Sequence, residues 1–188
     1  MDNVLFMRKA KEQLTNNWTN ALLGTLIYIL IMSAASATYV GEYILAGPMS
    51  FGYVLFIACL VDTKVININL LFKGFDRFVE TLVAGLLVNL AITVGIALLI
   101  VPGIILACGF GMTFFIMADD ANISGIDAMK LSWNMMNGHK MDFFCLQLRF
   151  LGWILLCILT CGVGFLWLVP YMTATSLNFY RQLRYGTY

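Results

Sequence analysis

The chain has 188 residues, 61% of them apolar and 11% charged, with a mean hydropathy of +0.88 and a formal net charge of +1. A soluble domain carries about a quarter charged residues, so this composition excludes a soluble enzyme and a disordered chain and leaves a polytopic membrane protein. A net charge so near zero gives no electrostatic basis for a nucleic-acid partner.

In chain order, Met7, Ala10 and Leu14 recur at helical spacing opposite Arg8, Lys11 and Glu12, and Trp18 closes the segment. It reads as an amphipathic helix at the membrane interface. Charge-free stretches then run over 13–41 and 43–61, separated by Glu42, and predict spans at about 20–40 and 44–61. The first imitates a secretory signal with its run Ser33-Ala34-Ala35-Ser36-Ala37. The long leading segment with Glu12 favours a retained span whose small residues pack against a neighbour. Next, Asn69 is placed to cap a short helix with Leu71, Phe75 and Phe78 on one face and Lys73, Asp76 and Arg77 on the other.

Residues 81–118 carry no charge and suffice for two crossings of about 20 residues each. Pro102-Gly103 marks the reversal between spans 81–101 and 104–118, since proline cannot continue a helix through a turn that glycine permits. Ser124-Gly125-Ile126-Asp127 is a capping-box pattern. It opens a helix with Ile126, Met129, Trp133 and Met136 on one face, Asp127, Lys130, Asn134 and Asn137 on the other, and Gly138 as its stop. Residues 143–180 form the last pair, 143–160 and 163–180, turning at Gly162-Val163-Gly164 and interrupted only by Arg149.

The expectation is therefore an all-α polytopic membrane protein with six transmembrane helices and interfacial amphipathic helices on the cytoplasmic side, in one integral membrane domain over 1–188. Trp18, Phe78 and Phe143 mark similar points, 60 and 65 residues apart. That period predicts three related helical-hairpin units over 4–61, 67–118 and 124–180. Ten of the eleven basic residues fall in the leading segment, the 62–80 and 119–142 connections and the tail. The positive-inside rule then puts both termini in the cytoplasm and the protein in the plasma or inner membrane.

Several motifs together resemble an uncharacterised bacterial integral-membrane family, domain of unknown function 975. They are Leu14-x-x-x-Trp18, Phe72-x-Gly74-Phe75, Pro102-Gly103-Ile104, Ser132 with Met136-x-Gly138-x-Lys140, Phe150-Leu151-Gly152-Trp153, and Gly162-x-Gly164-x-Leu166-Trp167-Leu168-x-Pro170-Tyr171, with Tyr180 near the end. The resemblance covers almost the whole chain and implies six spans; it brings no activity. The layout is also distantly similar to the membrane domain attached to some glycerophosphodiester phosphodiesterases, whose catalytic barrel this chain lacks.

The candidate site residues are Arg149, Asn89 and Gln147, as contacts to lipid or another ligand. Arg149 lies seven residues after Asp142, about 10 Å into the layer at ~1.5 Å per residue. A charge at the centre of the bilayer costs at least ~2.5 kcal/mol. It is expected to face the bundle or snorkel to the interface, as a headgroup contact or as the partner of Glu80, Asp119, Asp120 or Asp142. Gln147 and Arg149, two apart, cannot share a helix face. Asn89 and Gln147 are expected chiefly as interhelical glue. Asp119 and Asp120 lack a third acidic ligand nearby, and carboxylates have the wrong sign for a helix C-terminus, which favours a role in starting the next segment. The lone His139 is read as a solvated interfacial residue. Cys59, Cys108, Cys145, Cys157 and Cys161 are read as small packing residues. Gly109-x-Gly111 lacks the context of a phosphate loop and reads as a close helix contact.

No cofactor and no metal are expected. The functional expectation is a non-enzymatic integral membrane protein that binds lipid or a membrane-protein partner, as a transporter accessory or in envelope protection, with homo-oligomers open. The alternatives are a small transporter or channel, and a membrane-embedded lipid enzyme.

Overall fold

The computed structural model describes residues 3–15, 17–65, 67–160 and 162–186, with the backbone alone at 39–40. Every regular element among them is helical: α1 (Asn3–Leu14), α2 (Trp18–Ser36), α3 (Tyr39–Thr63), a 3₁₀ segment (Ile68–Phe75), α4 (Phe78–Leu98), α5 (Ile100–Phe110), α6 (Thr113–Asp119), α7 (Gly125–Met135), α8 (Lys140–Leu159) and α9 (Phe165–Tyr185). Among the described residues five stretches are long and apolar enough to cross a membrane: α2, Gly41–Thr63 within α3, α4, Ile100–Asp119 (α5 with α6), and α8. The sixth expected crossing falls on α9, which is long enough but more polar than these five and is not among them. The charged connections and both described chain ends gather at one end of this bundle, called here the charged end.

Local chemistry accounts for most boundaries. Ser124 caps α7 as expected, its hydroxyl accepting the Asp127 amide at 3.2 Å and donating to the Asp127 carboxylate at 2.8 Å. Gly138 and Gly162 turn the chain with φ of 84° and 86°, a region open to glycine at no steric cost. Other boundaries correct the expectation. The α4–α5 reversal falls at Leu99, not at Pro102-Gly103. Pro102 lies in the first turn of α5, where a missing amide hydrogen costs no helical bond. Gly103 instead lets α5 approach α4: a Cβ there would meet the Ile96 side chain at 2.4 Å and its backbone nitrogen at 2.8 Å.

The predicted helix after Asn69 is a 3₁₀ turn that begins at Ile68. With three residues per turn, side chains three apart eclipse. Phe72 and Phe75 therefore stack on the exposed side at a ring separation of 6.4 Å, with the half-buried Phe78 that opens α4 stacked 6.2 Å beyond, while Leu71 and Gly74 face inward. The expected pairing of Leu71 with Phe75 and Phe78 assumed a period of 3.6 and is wrong for that reason. In α7 the buried stripe is Gly125, Ala128 and Ser132, continued by Met136, whereas Ile126 is exposed and Met129 and Trp133 are half-buried. Small residues rather than large apolar ones make the protein contact, because α7 lies close to its neighbours: a Cβ on Gly125 would sit 2.5 Å from the Glu80 carbonyl oxygen.

The crossing made by α5 and α6 is interrupted at Gly111-Met112. Ser132, fully buried on α7, serves both sides of the break: its hydroxyl donates to the Gly109 carbonyl at 2.8 Å and accepts the Met112 amide at 3.2 Å. Backbone groups freed inside a membrane need such a partner.

The packing follows one cyclic rule. Each short leading segment lies against the second long helix of the hairpin before it: the 3₁₀ segment on α3, α7 on α6, and α1 on α9. Each first long helix does the same, α4 on α3, α8 on α5, and α2 on α9. Hence α3, α5–α6 and α9 line the inside of the bundle, with α2, α4 and α8 outside. Burial agrees: α3 is 61% buried along its span, whereas α2, α4 and α8 are each 22% buried. The polar character of α9 belongs to this interior position. Thr175, Ser176 and Asn178 are buried, and the Asn178 side-chain amide donates to the Gln13 side-chain oxygen Oε1 at 2.9 Å, tying α9 to α1.

Candidate functional site

The three residues singled out from sequence do not come together. Asn89 donates to the Gly85 carbonyl of its own helix at 2.9 Å. Gln147 reaches Ser176 on α9 at 3.5 Å, the limit of a hydrogen bond. Arg149 lies on an exposed face of α8 and has no ion-pair partner among the described residues. All four carboxylates considered for it are engaged elsewhere. Glu80 accepts the Gly125 amide at 2.8 Å, at the positive end of α7. Asp120 accepts the Asn122 amide at 2.9 Å, His139 pairs with Asp142 at 3.3 Å, and Asp119 bonds to α9.

That last contact is part of a cluster at the charged end, where the three inner helices meet. Arg184 pairs with Asp119 at 3.0 Å and donates to the Tyr180 hydroxyl at 2.9 Å. The Tyr180 hydroxyl donates to Asp119 at 3.0 Å, and Tyr185 bonds the same carboxylate oxygen. Arg181 pairs with Asp62 of α3 at 2.7 Å. Carboxylates at the C-terminal ends of α3 and α6 are unfavourable toward those helix dipoles, and the two arginines of α9 offset them. Two anions meet two cations, so the arrangement acts as an electrostatic clamp on three helix ends. Asp119 thus bonds back to α9 rather than starting the next segment, a role that falls to Asp120.

The described cysteines divide by position: Cys108 and Cys157 are buried, Cys59 is intermediate and Cys145 is exposed. Cys161 lies outside the described residues. Burial raises the number of contacts only for the first two, so packing does not account for Cys145.

Lateral grooves open on the outer surface, and two of them take in the tryptophans. The first, of about 360 Å³, runs between α8 and α9 and is closed at the charged end by Lys11 of α1 and Trp18 of α2. Trp153, Leu156, Cys157 and Thr160 form one wall, and Trp167, Leu168 and Tyr171 the other. The second, of about 680 Å³, lies between α4 and α7, with Ile126, Met129, Lys130 and Trp133 of α7 on one side and Phe110 of α5 at its edge. The grooves are alike in drawing their walls from the long helices of one hairpin and the leading helix of the next, and each receives one lysine. All four tryptophans of the chain line them. This is where the large apolar side chains of α7 go. In the sequence, the tryptophans and Lys11 could have signalled the grooves, but only as separate anchors, because nothing in the spacing joins residues 11 and 18 to residues 153–171.

A family model described as "Protein of unknown function (DUF975)" matches residues 92–186, just over half of the chain. No curated protein matches, and no solved structure matches. The distant likeness to the membrane domain of glycerophosphodiester phosphodiesterases finds no support in these comparisons.

Proposed function

Because the chain belongs to the DUF975 family, whose function is unknown, we propose from its own geometry that it is a non-enzymatic membrane protein that binds lipid in lateral grooves, as an accessory to other membrane proteins or in envelope protection. In this reading α9 is the sixth crossing, and its buried polar residues reflect an inner position in the bundle. The charged end and both termini face the cytoplasm, the membrane is the plasma or inner membrane, and α1, the 3₁₀ segment and α7 lie as amphipathic segments at its interface. The units 4–61, 67–118 and 124–180 are related repeats. The cyclic contact rule supports this, as does the placing of the chain's three prolines, Pro48, Pro102 and Pro170, one in each inner helix.

The observation that carries the reading is the concentration of all four tryptophans, with a lysine at each, on two corresponding grooves. Tryptophan favours the bilayer interface, where its amphipathic ring meets headgroup and chain. The ionisable groups that do come together, Asp119 with Arg184 and Asp62 with Arg181, bond one another and hold helices. Native mass spectrometry of the protein gently extracted from its own membrane tests the proposal. Retained phospholipid adducts are expected. A polypeptide that retains no lipid, with or without a protein subunit, would overturn it.

A further inference from the structure

The geometry points to the α8–α9 groove as a site for one anionic phospholipid, with an acyl chain along the tryptophan-lined wall and the phosphate held by Lys11 and Arg149. This rests on the lipid-binding reading above and adds to it the headgroup charge and the site.

Three observations lead there. First, the lining is apolar apart from Lys11 at the charged end, Thr160 at the other and the Tyr171 hydroxyl; Thr160 is bonded to the Cys157 carbonyl at 3.0 Å and Tyr171 donates to the Met7 carbonyl at 3.2 Å. A volume of about 360 Å³ lies within the usual range for small-molecule sites, roughly 300–1,000 Å³. Second, residues 149, 153, 156 and 160 form one stripe of α8 by helical spacing. Arg149 therefore extends the groove wall by one turn beyond Trp153, towards the charged end where Lys11 stands. Third, neither cation has an ion-pair partner among the described residues, and both are exposed. A buried partner would have made Arg149 structural. An unpaired guanidinium on an apolar face instead favours a phosphate, which it can bond in a fork.

The second groove supplies the contrast. Its lysine is already paired, Lys130 with Asp127 at 3.2 Å, and Lys140 lies 3.2 Å over the Trp133 ring. With its one lining lysine paired, that groove has less reason to prefer a charged headgroup. The anionic preference is thus assigned to one groove of two.

The test is a native mass spectrometry titration of the whole protein in micelles with phosphatidylglycerol and, separately, phosphatidylcholine of the same chains. Wild type is expected to prefer phosphatidylglycerol by about 25-fold, each basic side chain contributing about fivefold. Lys11→Ala and Arg149→Ala each lose about fivefold of that preference and keep phosphatidylcholine binding. Lys73→Ala, an exposed basic residue away from the groove, loses none. Leu156→Trp fills the groove from a lipid-facing position and lowers the stoichiometry of both lipids by one. Unchanged preference in the Lys11→Ala/Arg149→Ala double variant, or unchanged stoichiometry in Leu156→Trp, overturns the site while leaving lipid binding intact. Wild type that binds neither lipid overturns the lipid-binding reading as well. A photo-crosslinker at Trp153 that captures protein instead of phospholipid in native membranes likewise overturns the assignment.

Discussion

Ser132 is a single hydroxyl on which two backbone groups of another helix depend. Replacing it with alanine leaves the Gly109 carbonyl and the Met112 amide unpaired in the interior, so Ser132→Ala should cost about 1–3 kcal/mol, read as reduced thermal stability in micelles. Asp119 holds a comparable position among its neighbours. Asp119→Ala leaves Arg184, Tyr180 and Tyr185 without their common acceptor, and a loss of about 1–2 kcal/mol is expected, measured in the same way and reduced by partial solvent screening. Asp127 offers a test by titration. The Ser124 hydroxyl first, and Lys130 second, hold its carboxyl below the ordinary aspartate value. A depressed value means that its contribution to α7 is present above the ordinary aspartate range and is lost as pH falls through the folded value. A carboxyl-carbon NMR titration should find the midpoint lowered, and Ser124→Ala should raise it. Arg149 shows where residue-level reading stopped. Its cost in a membrane was legible, but whether it faced inward depended on the phase of α8 against its neighbours.

At the scale of elements, closeness of approach decides what is tolerated. α3 and α4 cross with glycine against glycine: a Cβ on Gly85 would lie 2.6 Å from the Gly47 Cα, and one on Gly47 would lie 2.1 Å from the Thr81 carbonyl oxygen. Gly85→Ala should therefore separate the helices and cost about 1–3 kcal/mol. Gly152→Ala, on α8, meets nothing within 4 Å and should be neutral or slightly stabilising by helix propensity. Thermal unfolding of the two variants side by side separates helix approach from propensity. The same closeness limited the sequence reading. Span positions were legible within a few residues, because charged and turn-forming side chains mark where the chain meets water. Which face of a short helix met protein was not. In α7 a periodic apolar stripe is ordinarily the buried one, yet small residues made the contact and the stripe went to a groove. In the 3₁₀ segment the period itself differed.

For the whole molecule, the proposed topology predicts that thiol-reactive, membrane-impermeant labels reach cysteines placed near residues 65, 122 and 186 only from the cytoplasmic side. Labelling of any of the three from outside would sink it. The class of the protein was plain from its scarcity of charge, and the threefold grouping proposed above starts from the recurrence of Trp18, Phe78 and Phe143. The cyclic order was not, because a repeat period says that units are alike without saying which touches which. The grooves were illegible for the same reason, since each is shared between segments of different units.

The cyclic order has a further consequence for biosynthesis. The 3₁₀ segment and α7 each emerge from the ribosome after the helix they lie against, and can dock at once. For α1 the order is reversed: its partner α9 comes after every other described helix, and the bond from Asn178 to Gln13 spans 165 residues of chain. Phe6, Ala10 and Leu14 therefore stay uncovered until α9 has been made. Closure between α1 and α9 joins the two most distant of the described helices and is the slowest of these contacts to find by diffusion of the chain. An arrested nascent chain lacking α9 is thus left with an open ring and an apolar helix face for insertases or quality-control proteases to engage.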